Sequence, residues 1–505
     1  MKKYVLLFFI LMLTKNSWAN NLVMSTPVYD HTNKTISFTI AWDNSWKVAS
    51  GPSNWDGVWV FVKRQACSNT NTWGTALLST TSADHTSNTS SAGTNLLTID
   101  AVADGMGVFI RRTDAGIGNI STHNITLALN SSLTTQPAIT ASAADNFKVI
   151  GTEMVYVPQG GFYLGDGRGT NTSNFSGGNN ASTPLFIDGT IQAAGIGSAT
   201  NYTSNPIYGC PGNLPSSFPL GYNGFWCMKY ELSMVAYTEF MNCLTYDQQA
   251  ARLEKWGGRY PNQLNTNFGN ASNKGYLAVT TAGTYNTVPA VFSYNTTYAN
   301  YSPASYLGWR DLTAYLDWAG LRPMTEFEFE KACRGTLNPV ANEYPWGNTL
   351  ITQATGTNMQ GQVGEKPSQS GDGLCLYSWD DPNWAPYRSG YAANATTTRS
   401  LAAATYYGIL DMGGNVFEQV VGGAGYDYSN FTTVNGDGIL GNNGHANTPG
   451  WPSINGTNSG NYVKGGSFGN YGATVIQVSD RTFYAGTNIN DGTVGNSGGR
   501  GVRSN

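Results

Sequence analysis

The sequence predicts an α+β protein in two folded parts: an all-β, sandwich-like domain over residues 22–148, then a larger, irregular, loop-rich domain over 151–505. Three observations carry this. Early in the chain, apolar residues alternate with polar ones in short runs separated by turns. Between about 225 and 335 the period becomes helical. Beyond Trp346-Gly347-Asn348 periodicity nearly vanishes, in a chain with 61 Gly and only 11% charged residues. At 505 residues the chain is too long for one ordinary domain.

The first residues carry a three-part export signal. Lys2 and Lys3 are positive, Tyr4 to Leu13 is apolar, and Ser17-Trp18-Ala19 supplies small residues before Asn20. A signal peptide over 1–19 is expected, and with it a secreted, periplasmic or cell-surface protein. The apolar run falls short of the roughly 20 residues that span a bilayer. No cysteine follows it for lipid attachment, so no stable membrane span is expected. A net charge of −4 gives no reason to bind nucleic acid.

In the first domain Ile36, Phe38, Ile40 and Trp42 alternate with small polar residues, the pattern of a half-buried strand. Val58 to Lys63 follows a Gly-Pro-Ser-Asn turn, and Leu96 to Ile99, Val108 to Arg111 and Ile125 to Leu129 read as further strands. Trp42, Trp46, Trp55 and Trp59 read as core and edge packing, with a ligand-stacking surface as the competing reading. Leu133 to Asp145 lacks periodicity and reads as a linker. The strand Met154 to Pro158 then opens the second domain.

Ser233 is a good N-cap for a helix carrying Ala236, Tyr237, Phe240, Met241 and Leu244. A second helix shows Leu312, Tyr315, Leu316 and Ala319 on one face and stops at Gly320. A third begins with Thr325-Glu326-Phe327-Glu328, a capping box, and ends near Arg334-Gly335. Glu326, Glu328 and Glu330 therefore read as cap and dipole partners rather than as an acid–base pair. Six cysteines, at 67, 210, 227, 243, 333 and 375, allow 15 connectivities, and none has metal-like spacing.

An ordered series of motifs is more specific. Met154-Val155-Tyr156-Val157-Pro158, Lys229-Tyr230-Glu231, Leu321-Arg322-Pro323-Met324-Thr325-Glu326, Tyr344-Pro345-Trp346-Gly347, Leu410-Asp411-Met412-Gly413-Gly414-Asn415 and Lys464-Gly465-Gly466-Ser467-Phe468 follow in turn. The series resembles the sulfatase-modifying-factor domain, the fold of formylglycine-generating enzymes. The resemblance implies one mixed α+β domain related to the C-type lectin fold.

It also implies chemistry. Aerobic formylglycine formation in that family uses two cysteines after the Gly-Gly-Ser strand, which bind copper(I) through soft thiolates. The matching positions here are Asn470 and Val475, and no cysteine follows Cys375. Copper is therefore not expected, and no catalytic residue is assigned. An iron-dependent branch needs several histidines, whereas only His445 lies in this domain. The family's structural calcium sites match Asn358, Met359, Asp372 and Leu374, and Asp411, Gly414, Val416 and Glu418. Such oxygen sets suit a hard cation, so structural calcium is expected.

The chain closes on Gly499-Arg500-Gly501-Val502-Arg503, which departs from the family's usual Gly-Phe-Arg. Residues between Gly469 and Ser497 are rich in Asn, Thr, Ser, Tyr and Gly, the composition of adaptable contact surfaces. Asn470, Tyr471, Arg481, Tyr484 and Asn488 are the candidate ligand contacts. The leading expectation is a non-catalytic pseudoenzyme that binds an extracellular glycan or protein through these C-terminal residues. An oxidoreductase with an unrecognised centre and a structural extracellular component are the alternatives.

Overall fold

The computed structural model of the chain describes residues 21–89, 97–130, 144–168, 175, 183–196, 214–253, 261–262, 277–294, 296, 301–358, 364–377, 385–422, 429–453, 460–469, 472–483 and 495–504. It is mostly β with few helices and much irregular chain. The signal segment, Cys210 and most of the Leu133–Asp145 stretch lie outside the described residues.

The alternating run at Ile36 becomes the long strand Thr35–Lys47, with Ile36, Phe38, Ile40 and Trp42 all buried. It lies in a five-stranded sheet with Val23–Met24, Val28–Asp30, Gly116–Ala128 and Thr86–Thr89. Opposite stands an eight-stranded sheet. Its order is Arg322–Pro323, Gly501–Ser504, Phe225–Met228, Asn146–Val157, Asp56–Gln65, Val108–Arg112 and Leu97–Ala101, with Trp73–Thr75 also paired to Asp56–Gln65.

This second sheet crosses the boundary expected at residues 148–151. Strand Asn146–Val157 runs unbroken through that boundary. It pairs antiparallel with Asp56–Gln65 from Asn146↔Gln65 to Val155↔Asp56, and with Phe225–Met228 from Met154↔Met228 to Val157↔Phe225. One strand is thus hydrogen-bonded on one edge to the early chain and on the other to the later chain.

Because side chains alternate between the faces of a sheet, its core divides cleanly. Val58, Val60, Val62, Val108 and Ile110 face the smaller sheet and pack on Ile36, Phe38 and Ile40. Farther along the same face of the sheet, Val155 and Val157 join Phe225, Cys227 and Val502 over the helix residues Phe329 and Ala332. The other face carries Trp59, Phe61, Phe109, Met154, Trp226 and Met228, packed on helices that include Phe240, Leu312 and Trp318.

The expected helices form where their caps are. Met234–Met241 starts at Ser233, whose side chain accepts the Ala236 amide, and ends before Leu244. Trp309–Trp318 closes through Ala319 into Gly320, at φ 69°. Glu326–Arg334 has the full reciprocal capping box between Thr325 and Glu328. No helix among the described residues is long and apolar enough to cross a membrane.

Buried charges join the early and late chain. Lys229 Nζ sits 2.9 Å from Glu153 Oε2 and 3.4 Å from Asp56 Oδ2, and Asp56 also accepts from Trp42 Nε1, Ser45 Oγ and the Trp46 amide. Lys63 Nζ donates to Thr75 Oγ1, Trp318 O and Gly438 O. Burial lowers the Lys63 pKa to about 7, and burial likewise lowers Lys331, bonded to Tyr222 O, to about 7.

These two lysines set a pH dependence. Their folded pKa lies below the unfolded value of about 10.4, so between the two the unfolded chain binds more protons. Stability from these groups is therefore lowest at and below pH of about 7 and rises as pH increases above it. Urea melts should show stability increasing from pH ~7 to ~9 and a flatter profile for the Lys63→Met/Lys331→Met variant. A variant keeping the full slope would refute this assignment.

Candidate functional site

The site is assembled on the strand Asn461–Lys464, which pairs with Glu418–Val421 in the register Glu418↔Lys464. Two glycines follow, at φ 81° and 71°, in the left-handed region that disfavours a side chain. A Cβ at Gly465 would stand 2.7 Å from Met412 O, so the strand exit and the Asp411–Gly414 turn touch through backbone. Gly414 N donates back to Gly465 O at 2.7 Å. Phe468 N then donates to Asn415 O, and Ser467 Oγ accepts from Asn496 Nδ2.

Glu231 braces this meeting point from below. Its Oε1 accepts the Val416 amide at 2.9 Å and its Oε2 accepts Asn415 Nδ2 at 2.8 Å. Asn415 itself is left-handed, at φ 63°, and its Oδ1 accepts the Tyr387 amide. Three separated motifs, Lys229-Tyr230-Glu231, Leu410 to Glu418 and Lys464 to Phe468, thus form one knot. Burial raises the Glu231 pKa well above the carboxylate range, and the nearby Asp411 and Glu418 charges push it the same way.

The flanking ion pairs are interior. Arg500 Nε lies 2.6 Å from Glu418 Oε1, with both side chains inaccessible. Arg481 Nε and Nη2 hold Glu326 Oε2 and Oε1 at 2.9 and 3.1 Å, and Tyr462 OH donates to the same carboxylate at 2.5 Å. Glu328 is clamped by Arg322, and Glu330 by Arg334 and Ser479. All three helix-start glutamates are therefore structural.

The assigned contact residues separate accordingly. Asn470, Tyr471, Tyr484 and Asn488 lie outside the described residues. Arg481 is placed in the core, 2% exposed, with its guanidinium 4.4 Å from the Phe175 ring centroid. A ligand at the surface does not reach it. The polar composition around Arg481 concealed its partner, since Glu326 is 155 positions away.

Val475, matched to a copper-binding cysteine, is buried in the short turn Ala473–Ile476 and packs with Tyr344, Trp346, Cys375 and Ile476. A hydrocarbon there offers no metal ligand. The described cysteines are free thiols, and those in this domain are buried. Burial pushes the Cys227 thiol up to about 12 and the Cys243 thiol to about 11, and raises Cys333 and Cys375 well above the usual value. Thiols so held are inert as nucleophiles and poor as thiolate ligands.

The described members of the expected calcium set make hydrogen bonds within the chain. Asp411 Oδ2 accepts the Gly390 amide at 2.5 Å, and Glu418 faces Arg500. Leu374 O accepts Tyr391 OH at 3.3 Å, and Asp372 O accepts Thr352 Oγ1. Gly414 and Val416 give their amides to Gly465 O and Glu231. Asn358 lies in the strand Thr357–Asn358, and Met359 lies outside the described residues. No group of three or more His, Cys, Asp or Glu among the described residues is arranged for a metal ion. Glu418 is paired with Arg500, and it and Asp411 lie near enough to Glu231 to raise its pKa.

Residues 141–502 match the sulfatase-modifying factor enzyme 1-like domain. A formylglycine-generating enzyme of Mus musculus is 30% identical over 134 residues, which cover 25% of this chain and 35% of that protein. One from Thermomonospora curvata is 48% identical over 48 residues, 10% of this chain and 15% of that protein. The chain thus matches about a third or less of the length of these curated relatives. Among solved structures, Treponema denticola variable protein 1 aligns with 70% of this chain and 96% of its own, at 11% identity and a TM-score of 0.29.

Proposed function

The chain belongs to the sulfatase-modifying factor enzyme 1-like family, and from that premise we propose that it is an exported, non-catalytic member that binds an extracellular glycan or protein. One observation carries the reading: Val475 puts buried hydrocarbon where the family's chemistry needs a copper-binding thiolate. The absence of cysteine after Cys375 and the raised pKa values of the buried thiols support it. The composition of residues 470–471 and 484–494 suits adaptable contact. Calcium takes no part in the reading.

The test has two arms. Purified protein incubated with a sulfatase-motif peptide, copper(I) and oxygen should leave the peptide cysteine unmodified by mass spectrometry; conversion to formylglycine sinks the non-catalytic reading. On a glycan array and against extracellular protein extracts, the wild type should give signals that the Asn470→Ala/Tyr471→Ala/Asn488→Ala variant loses. Signals unaffected by those changes would place the contact surface elsewhere.

A further inference from the structure

A second ligand site, apart from the C-terminal segments, is built where the early chain meets the family domain. Strand pairing sets Tyr156 beside Trp226, and the Tyr156 amide bonds Trp55 O. Trp55 stacks on Tyr156 with centroids 4.5 Å apart and planes 17° apart, and Trp226 stacks on Phe109 at 4.2 Å and 10°. Trp55 stands edge-on to Trp226, at 74°. Two stacked pairs thus make the walls of an aromatic corner.

A closed core would fill that corner. Here it opens into a cavity of about 330 Å³, lined also by Asp100, Val102 and Arg111. That volume is at the lower end of the roughly 300–1,000 Å³ of small-molecule sites. At the rim, Arg111 Nε and Nη2 hold Asp100 Oδ2 and Oδ1 at 2.7 and 3.3 Å. Trp55 Nε1 is buried and has no hydrogen-bond partner among the described residues.

We propose that this corner binds the ring of a neutral sugar. A pyranose has an apolar C–H face, which suits a tryptophan wall, and edge hydroxyls, which need both donors and acceptors. Arg111 supplies donors, and Asp100, 41% exposed at its side chain, supplies an acceptor. The charge at the rim argues against other occupants. Asp100 is already neutralised, and the Arg111 guanidinium lies 5.6 Å from the Trp55 ring centroid, so an ammonium ligand would meet a like charge on the aromatic face. An anion would find Arg111 already paired with Asp100.

Titration with methyl glycosides of glucose, galactose, mannose and N-acetylglucosamine tests this, read by tryptophan fluorescence and saturation-transfer NMR. At least one should bind saturably in the millimolar range. Trp55→Ala should weaken it about tenfold, a loss in keeping with one aromatic contact. Asp100→Asn, at an exposed position where folding is safe, should weaken it several-fold. Asn470→Ala/Asn488→Ala should leave it unchanged, which separates this site from the C-terminal reading. Failure of all four glycosides, full affinity in Asp100→Asn and natively folded Trp55→Ala, or binding of tetramethylammonium in their place would overturn the proposal.

Discussion

Glu418→Ala should lower unfolding free energy by about 3–5 kcal/mol, the range for removing one partner of a buried ion pair. The loss comes mainly from what remains. Arg500 has no exposed surface, and its Nε, 2.6 Å from Glu418 Oε1, would keep its charge in the interior without its nearest counterion. Its Nη1 contacts with Met228 O and Lys229 O are to carbonyls and cannot neutralise it. The pair lies next to Glu231, so the Asn415–Val416 turn would loosen with it. Glu418→Met/Arg500→Met should recover most of the loss, because replacing both partners removes the stranded charge. Equal destabilisation by the single and double changes, in urea melts, would show that the charge is not the cause.

Gly414→Ala should cost about 2–5 kcal/mol, from a left-handed backbone penalty of about 1–2 and overpacking of about 1–3. Gly414 has φ 78°, and its added Cβ would fall against Cys375 Sγ and 2.5 Å from Leu376 O. The carbonyl is main chain and cannot swing aside. Gly472 supplies the internal control. Its φ is 77°, but nothing among the described residues stands within 4 Å of an added Cβ. Gly472→Ala should therefore show the backbone penalty alone, about 1–2 kcal/mol. If the two variants melt alike, crowding at Gly414 contributes nothing.

What could be read from the sequence was local. The Thr325–Glu328 capping box and the Ser233 cap span three positions each, and both form as read. The Ile36 to Trp42 alternation depends only on which side of a strand faces water, and the strand is there. The family's motif order identified the domain that residues 141–502 match. The hidden part was long-range. Phe147 to Gly151, between the Leu133–Asp145 stretch and the Met154 strand, pair with Phe61 to Arg64 and Val60 across the boundary expected there. Arg481 sits in a polar neighbourhood, and only its fixed distance to Glu326 reveals it as interior. Glu418 did leave a trace, a charge in the largely apolar run Val416 to Val421, while its partner Arg500 sits among glycines 82 positions away.

The strand Asn146–Val157 also decides how the molecule carries load. A pull that separates the early chain from the family domain meets no hinge. It must shear a ladder of ten residue pairs on one edge, from Asn146↔Gln65 to Val155↔Asp56, before the other edge is loaded. Shear breaks such bonds together rather than one at a time. The protein is therefore a beam, not a tether, and whatever holds its early strands also fixes the direction in which its far end points.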